Sequence, residues 1–483
     1  MNKKKKDKNT DVSHMHDAEK TVFIEMLFEK INCLEEKIER LRAKNKFLED
    51  NASKNSNNSH KPPSTDNKGK KGKPRKTTSS RTKSGKKPGG QDGHKGSHLK
   101  MSARPDEVIT LPVTHCGHCH KNLKRSQADI EKRQMFEIPE PKMWITEYQS
   151  ESKCCPNCNK TTKALYPEDI TNKTQYGPRA RTLMVYMNQY QFIPFKRVSE
   201  FFQSVYHHTV SAGTIVNAVR YLDNRIINVE KQIMDFIIQS KINHADESGA
   251  NINGDKYWMH TVGNMQSTHF GMHKKRGRKA TEAIGILPGY NGTLVHDHWK
   301  SYFTYTDCQH ALCNAHHIRE LRFLHEQQGI KWANKISDLL LEINRKKLKW
   351  IENGKDAFSA RLLRKYNLKY DDILRKAKRE QAIRGTIDSK NLLKRLLNYK
   401  DETLLFMNDF LVPFTNNLSE QDLRMPKIKQ KISGCYRSLA GAYRFCRIRS
   451  MTSTAKKNGK NIFNTIELCF SKIISLDDLL VCT

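Results

Sequence analysis

No stretch of this sequence approaches the ~20 consecutive apolar residues needed to cross a bilayer, which excludes a membrane-spanning helix. The first residues, Met1 to Asn9, are lysine-rich with no apolar segment behind them. That excludes a secretory signal and predicts a soluble, cytoplasmic protein. Cysteine is thinly spread, twelve residues in a chain of 483. Such spacing excludes the dense disulfide framework of a small secreted domain and leaves reduced thiols free to hold metal. Acidic charge is the scarcest relative to its counterpart: 51 Asp and Glu face 86 Lys and Arg, a net charge of +35. An excess that large predicts a polyanionic partner, since phosphate neutralisation by Lys and Arg drives nucleic-acid affinity. It is concentrated between Lys61 and Lys100, where thirteen basic residues meet two aspartates.

What the chain does contain is arranged in blocks. From Ile24 the apolar residues step by three and four through Leu27, Ile31, Leu34, Ile38, Leu41 and Leu48, with Asn45 in the remaining core slot. This spacing predicts a coiled-coil helix over residues 18–50, of about four heptads with Ile at a and Leu at d, pairing two copies of the chain. The alternative is one amphipathic helix packed on its own domain. Residues 51–100 turn to Asn, Ser, Lys, Pro and Gly, a composition too poor in apolar surface to order itself, and read as a basic flexible linker.

Residues 101–170 carry Cys116-Gly117-His118-Cys119, answered by Cys155-Pro156-Asn157-Cys158. Two such knuckles suit the tetrahedral thiolate set of a structural Zn²⁺, so Cys116, Cys119, Cys155 and Cys158 are the expected ligands. His115, His118, His120 and Cys154 stand by as substitutes. Phe136 to Pro139 and Trp144 to Tyr148 read as strands joining the knuckles. Residues 171–240 have helical periodicity punctuated by Pro194 and Gly213, with Ser211 or Thr214 as a helix cap. They read either as a DNA-binding helical region or as a lead-in to the core.

The chemistry-bearing residues follow. Ile242 to Asp246 and Gly292 to Asp297 are short runs closed by aspartate, and strands of α/β sheets place functional groups near their carboxyl ends. Two adjacent carboxylates repel unless cations lie between them, as in a two-metal phosphoryl-transfer site. A third acid comes from Asn416 to Lys427, where Asn416, Glu420 and Arg424 share one helix face. Pro426 is expected to end or kink that helix, leaving Lys427, Lys429 and Lys431 on a strand or loop.

These residues make the chain resemble the IS66 family of transposases over nearly its whole length. The resemblance rests on the linker motifs Lys61-Pro62-Pro63-Ser64 and Pro88 to Gly96 and on the paired knuckles. It rests further on Ala245-Asp246-Glu247-Ser248, Val295-His296-Asp297, Cys313 through His316 to Arg319, and Asn416 through Glu420 to Arg424. Ser248 stands where a threonine is more usual. The family is similar to the ribonuclease-H-like DDE nucleotidyl transferases. It thus implies a multidomain α/β protein: a coiled coil, a small zinc-binding module, and a mixed α/β catalytic core over residues 241–440 with a helical insertion at 321–411. A helical region at 441–483 would close on that core.

It also implies catalytic, Mg²⁺-binding (or Mn²⁺-binding) roles for Asp246, Asp297 and Glu420, and DNA contacts from Arg424, Lys427, Asn416, Arg319 and His316. Cys313 and His316 would either structure the core or share a metal. The expected partners are transposon-end DNA, target DNA, a second copy of the chain and accessory transposition proteins. The competing reading is a non-catalytic, zinc-stapled DNA-binding protein derived from such an enzyme.

Overall fold

The computed structural model describes residues 16–53, 93, 96 and 99–481. The linker motif Lys61-Pro62-Pro63-Ser64 and all of Pro88 to Gly96 except Gly93 and Gly96 lie outside them. The chain divides into two compact units, one drawn from residues 1–73, 176–193 and 216–483, the other from 74–175 and 194–215.

In the first unit, helix α1 runs unbroken over Asp17–Ser53. Its apolar seam is open to solvent, with Ile24, Leu27, Ile31, Leu34, Ile38, Leu41 and Leu48 all exposed. The second unit holds the two knuckles. Around the second of them, β1 (Ser152–Cys154) pairs antiparallel with β2 (Thr161–Lys163), while a bridge between His115 and Asn122 closes the first. The strands expected at Phe136 and Trp144 do not form. Phe136, Ile138, Trp144 and Ile145 are all exposed, so no buried face rewards regular pairing there.

Helices α2 (Pro178–Val185), α3 (Phe195–Tyr206), α4 (Ala212–Arg225) and α5 (Ile227–Ile238) realise the helical periodicity of residues 171–240. The Ser211 hydroxyl accepts the Thr214 backbone N–H at 3.1 Å, as a capping residue should.

The centre of the first unit is a five-stranded sheet in the order β5-β4-β3-β6-β7. Its strands are β3 (Ile242–Ile252), β4 (Asp255–Gly263), β5 (Thr268–His273), β6 (Thr293–His296) and β7 (Gln309–Leu312), with α6 (Arg278–Ile284) between β5 and β6. The first three run antiparallel. β6 then joins β3 in parallel, and β7 joins β6 in parallel. Consecutive residues of β6 serve opposite faces, as strand pleating requires: Leu294 enters a core with α4, α5 and the C-terminal helices, whereas Val295 enters a core built from the insertion. Gly292 lets β6 begin against the preceding turn, because a Cβ there would sit 2.5 Å from the Lys241 carbonyl.

The insertion is helical throughout: α7 (Asn314–Gln328), α8 (Lys331–Glu352), α9 (Ala360–Arg384), α10 (Ile387–Asn398) and α11 (Lys400–Asn408). Its core centres on Trp332, Leu340, Tyr370, Leu396 and Phe406. Then come α12 (Asn417–Ser433), α13 (Leu439–Lys457) and α14 (Ile462–Ser471). α13 lies on β5, with the Ser450 hydroxyl accepting the Phe270 N–H at 2.9 Å. Its arginines largely serve the interior: Arg447 pairs with Asp223 and Glu230, each at 2.5 Å.

One local expectation is corrected. α12 passes through Pro426 to Ser433 rather than stopping there, so Lys427, Lys429 and Lys431 are helical. An interior proline costs about 3 kcal/mol. Here the helix is held at both ends by β3: Asn416 bonds to it at the start, and Tyr436, just past the end, donates to the Asn251 carbonyl and accepts from the Asn253 N–H, both at 2.8 Å. Pro426 itself is buried.

Candidate functional site

Asp246 lies within β3, Asp297 directly follows β6, and Glu420 sits in the first turn of α12. The parallel register pairs Ile242 with Thr293 and His244 with Val295. Continued two residues further, the same register sets Asp246 beside Asp297. Asp246 is held well above the usual carboxylate range, first by burial, then by the charges of Glu247 and Asp297, with a smaller push from Glu420. Asp246 therefore lies within electrostatic reach of both of the other acids named from the sequence. The Asp297 carboxylate accepts the Trp299 N–H at 3.0 Å, which shapes the loop leaving β6.

Asn416 is the joint between α12 and the sheet. It is buried. Its amide NH₂ donates to the Ala245 carbonyl at 2.8 Å, and its oxygen faces His244 Nδ1 at 2.8 Å. Burial lowers the His244 pKa to about 4, so the ring is neutral and Nδ1–H donates to the amide oxygen. The Asn416 N–H points at Cys313 Sγ at 3.1 Å, and the Asn314 N–H donates to the Phe414 carbonyl at 3.1 Å. Two helix starts, α7 and α12, are thus laced to each other and to β3. The side-chain amide of Asn416 is thus engaged inside the protein.

Around Glu420 the structure gathers more than the sequence promised. His316 Nε2 stands 4.0 Å and Arg319 Nη2 3.9 Å from its carboxylate. Both residues border the acid. The ligand-capable atoms of Cys313, His316 and Glu420 lie within 4.8 Å of one another. Burial pushes the Cys313 thiol up to about 11. Arg424 and Lys427 are exposed. On a helix, Glu420, Arg424, Lys427 and Lys431 follow at intervals of four, three and four, so one stripe leads from the carboxylate along a basic face.

Sequence reasoning missed Glu247. It is buried one residue from Asp246 and binds Arg276 Nη2 at 2.6 Å and the Tyr302 hydroxyl at 2.5 Å. Arg276 stacks over Trp299, 3.7 Å from the ring centroid, and over Trp258 at 4.9 Å. The only local signal was a second acid in a strand whose neighbour already carried one. Behind Asp297, His296 Nε2 meets His310 Nδ1 at 3.0 Å, and burial holds His296 down at about 3, so it adds no positive charge beside the acids.

In the other unit the two knuckles adopt the same turn. His120 donates to the Cys116 carbonyl at 3.1 Å and Asn159 to the Cys155 carbonyl at 2.8 Å, each with positive φ. Backbone N–H groups from the turn stabilise the Cys116 and Cys155 thiolates and lower both pKa values. Each knuckle is a ready half-site. Among the described residues, Cys313, His316 and Glu420 form a cluster able to hold a metal, and the four knuckle sulfurs are not gathered into one.

Comparison with known proteins matches residues 173–444 to a family model described as Transposase IS66 family. Residues 7–100 match a family of unknown function, DUF6444. No curated protein matches the chain.

Proposed function

The chain belongs to the IS66 family of transposases, and on that premise we propose that it binds the ends of a mobile DNA element, cuts a phosphodiester there and joins the freed end to target DNA. The observation that supports the proposal is the buried Asp246, brought beside Asp297 by the strand register and held above the usual carboxylate range first by burial, then by the charges of Glu247 and Asp297, with a smaller push from Glu420. An all-oxygen set of this kind suits Mg²⁺ or Mn²⁺. Bound divalent cations would supply Lewis-acid stabilisation of phosphate charge at these three carboxylates.

The remaining work falls to the chain. Asn416 fixes Glu420 relative to β3, and Arg319 and His316 orient its carboxylate. Arg424 and Lys427, with Lys431 on the same stripe, take phosphates along the helix. In hydrolysis the water oxygen attacks phosphorus and the 3′ oxygen leaves. That 3′-hydroxyl then attacks a target phosphodiester, whose own 3′ oxygen departs, so bonds are exchanged without net loss.

We read residues 241–440 as a ribonuclease-H-like catalytic domain interrupted by the helices at 321–411. The mixed five-stranded sheet, three strands antiparallel and two parallel, supports that reading. The knuckles, closed by one Zn²⁺ on Cys116, Cys119, Cys155 and Cys158, would grip end DNA with the basic linker. The exposed seam of α1 would pair two copies so that two ends are handled together, in the cytoplasm and with any accessory proteins. No helix among the described residues is long and apolar enough to cross a membrane.

The test incubates purified protein with labelled end DNA, with and without Mg²⁺ or Mn²⁺, beside Asp297→Ala. Metal-dependent cleavage lost in the variant supports the proposal. Cleavage unaffected by the substitution removes Asp297 from the site.

A further inference from the structure

We propose that Cys313, His316 and Glu420 form a second cation site, selective for a thiophilic divalent ion such as Zn²⁺, whose occupation withdraws Glu420 from Asp246 and Asp297. The cation site stands on its own geometry; only its regulatory consequence rests on the catalytic reading above.

The three groups come from two helix starts that are already locked together. Cys313 immediately precedes α7 and His316 lies in its first turn, so both present their side chains at one helix start. Glu420 is brought over them by the ties of Asn314 to Phe414 and of Asn416 to Cys313. The ligand atoms fall within 4.8 Å of one another. Tetrahedral Zn²⁺ with bonds of about 2.0–2.3 Å needs neighbouring ligand atoms roughly 3.3–3.8 Å apart. A closure of up to about 1 Å meets that need, shared between rotation of the part-exposed Glu420 and His316 side chains.

Donor chemistry sets the selectivity. Sulfur, imidazole and carboxylate suit Zn²⁺, whereas Mg²⁺ demands oxygen. Binding exchanges the Cys313 S–H bond for an S–metal bond and releases the proton to solvent. It also displaces Arg319, 3.9 Å from the same carboxylate, from its partner. A carboxylate drawn to this ion is no longer offered to the ions between Asp246 and Asp297. Zinc is then an inhibitor of Mg²⁺-dependent cleavage acting through Glu420.

The experiment loads full-length wild type, Cys313→Ser and His316→Gln with Zn²⁺, removes free ion and counts bound metal. Any zinc on the knuckles cancels in the comparison. Serine keeps an acceptor for the Asn416 N–H, and thermal melts verify that each variant folds; if Cys313→Ser does not, His316→Gln carries the count. Wild type is expected to hold about one equivalent more than either variant. Equal metal content in folded wild type and variants overturns the site. In cleavage assays at fixed Mg²⁺, half-inhibition by zinc should move at least ~10-fold higher in Cys313→Ser than in wild type. Equal inhibition, with the count as expected, overturns the regulatory consequence alone. Should Asp297→Ala still cleave, the catalytic reading fails while the metal count stands or falls by itself.

Discussion

Replacing Asn416 by alanine tests the joint on which the placement of Glu420 depends. The substitution removes a donor to the Ala245 carbonyl and an acceptor for His244 Nδ1–H, both at 2.8 Å and both buried. Each buried group left without its partner costs about 1–3 kcal/mol. Water cannot readily replace the lost amide, because Asn416 is only 1% exposed. A combined loss near 3 kcal/mol lowers the melting temperature of a unit this large by roughly 4–5 °C. Loosening the start of α12 also shifts Glu420, and a misplacement of about 1 Å costs on the order of 100-fold in cleavage rate. Urea and thermal unfolding followed by circular dichroism read the first effect, and end-DNA cleavage reads the second. The exposed neighbour serves as control: Asn417→Ala should leave the midpoint unchanged. If Asn416→Ala melts like wild type but binds DNA more weakly, the residue is a DNA contact and the argument is refuted.

Asp246 makes a prediction about pH. Its folded pKa is raised, so without metal the folded state loses stability as pH climbs from the ordinary aspartate value through the raised one. Asp246→Asn should therefore be more stable than wild type at neutral pH in chelator, with the gap narrowing on addition of Mg²⁺; a variant less stable in chelator contradicts this. Lys347 is buried, donates to the Val412 carbonyl at 2.6 Å, and has its pKa lowered from 10.5 to about 8 by burial. Its unfolded form binds the proton more tightly, so wild type should gain stability between pH 8 and 10.5. Urea midpoints across that window should rise in wild type and stay flat in Lys347→Met, and parallel curves would discard the assignment. Leu34→Glu in the exposed seam of α1 should convert a dimer to a monomer in sedimentation equilibrium; an unchanged mass would show that α1 does not pair two copies.

Features fixed by local chemistry were legible from the residues. The apolar run ending in Asp297 is a fully buried strand, the knuckle turns close within five residues, and the heptad pattern is one continuous helix. Glu420 and Arg424 lie on a helix as their spacing requires. What misled was whatever a distant partner decides. The inward bonds of the Asn416 amide could not be read, because its partner His244 stands 172 residues away, out of reach of any periodicity. Pro426 was expected to end or kink a helix that β3 holds at both ends, and the lysines beyond it stay helical. Phe136 and Trp144 had strand-forming side chains but no surface to cover. The partners of Glu247 were equally out of reach, because Arg276 and Tyr302 come from beyond β5 and β6 to close around it.

The position of the insertion bears on how the molecule is made. Asp246 and Asp297 emerge in adjoining strands, but Glu420 follows only after five helices have been added, about 120 residues later. At synthesis rates of about 5–20 residues per second, the third acid leaves the ribosome roughly 6–25 s behind the second. A nascent or prematurely terminated chain therefore carries a sheet with two acids and no means of completing the set. On the proposed reading of these acids, cleavage has to wait until translation has passed α12.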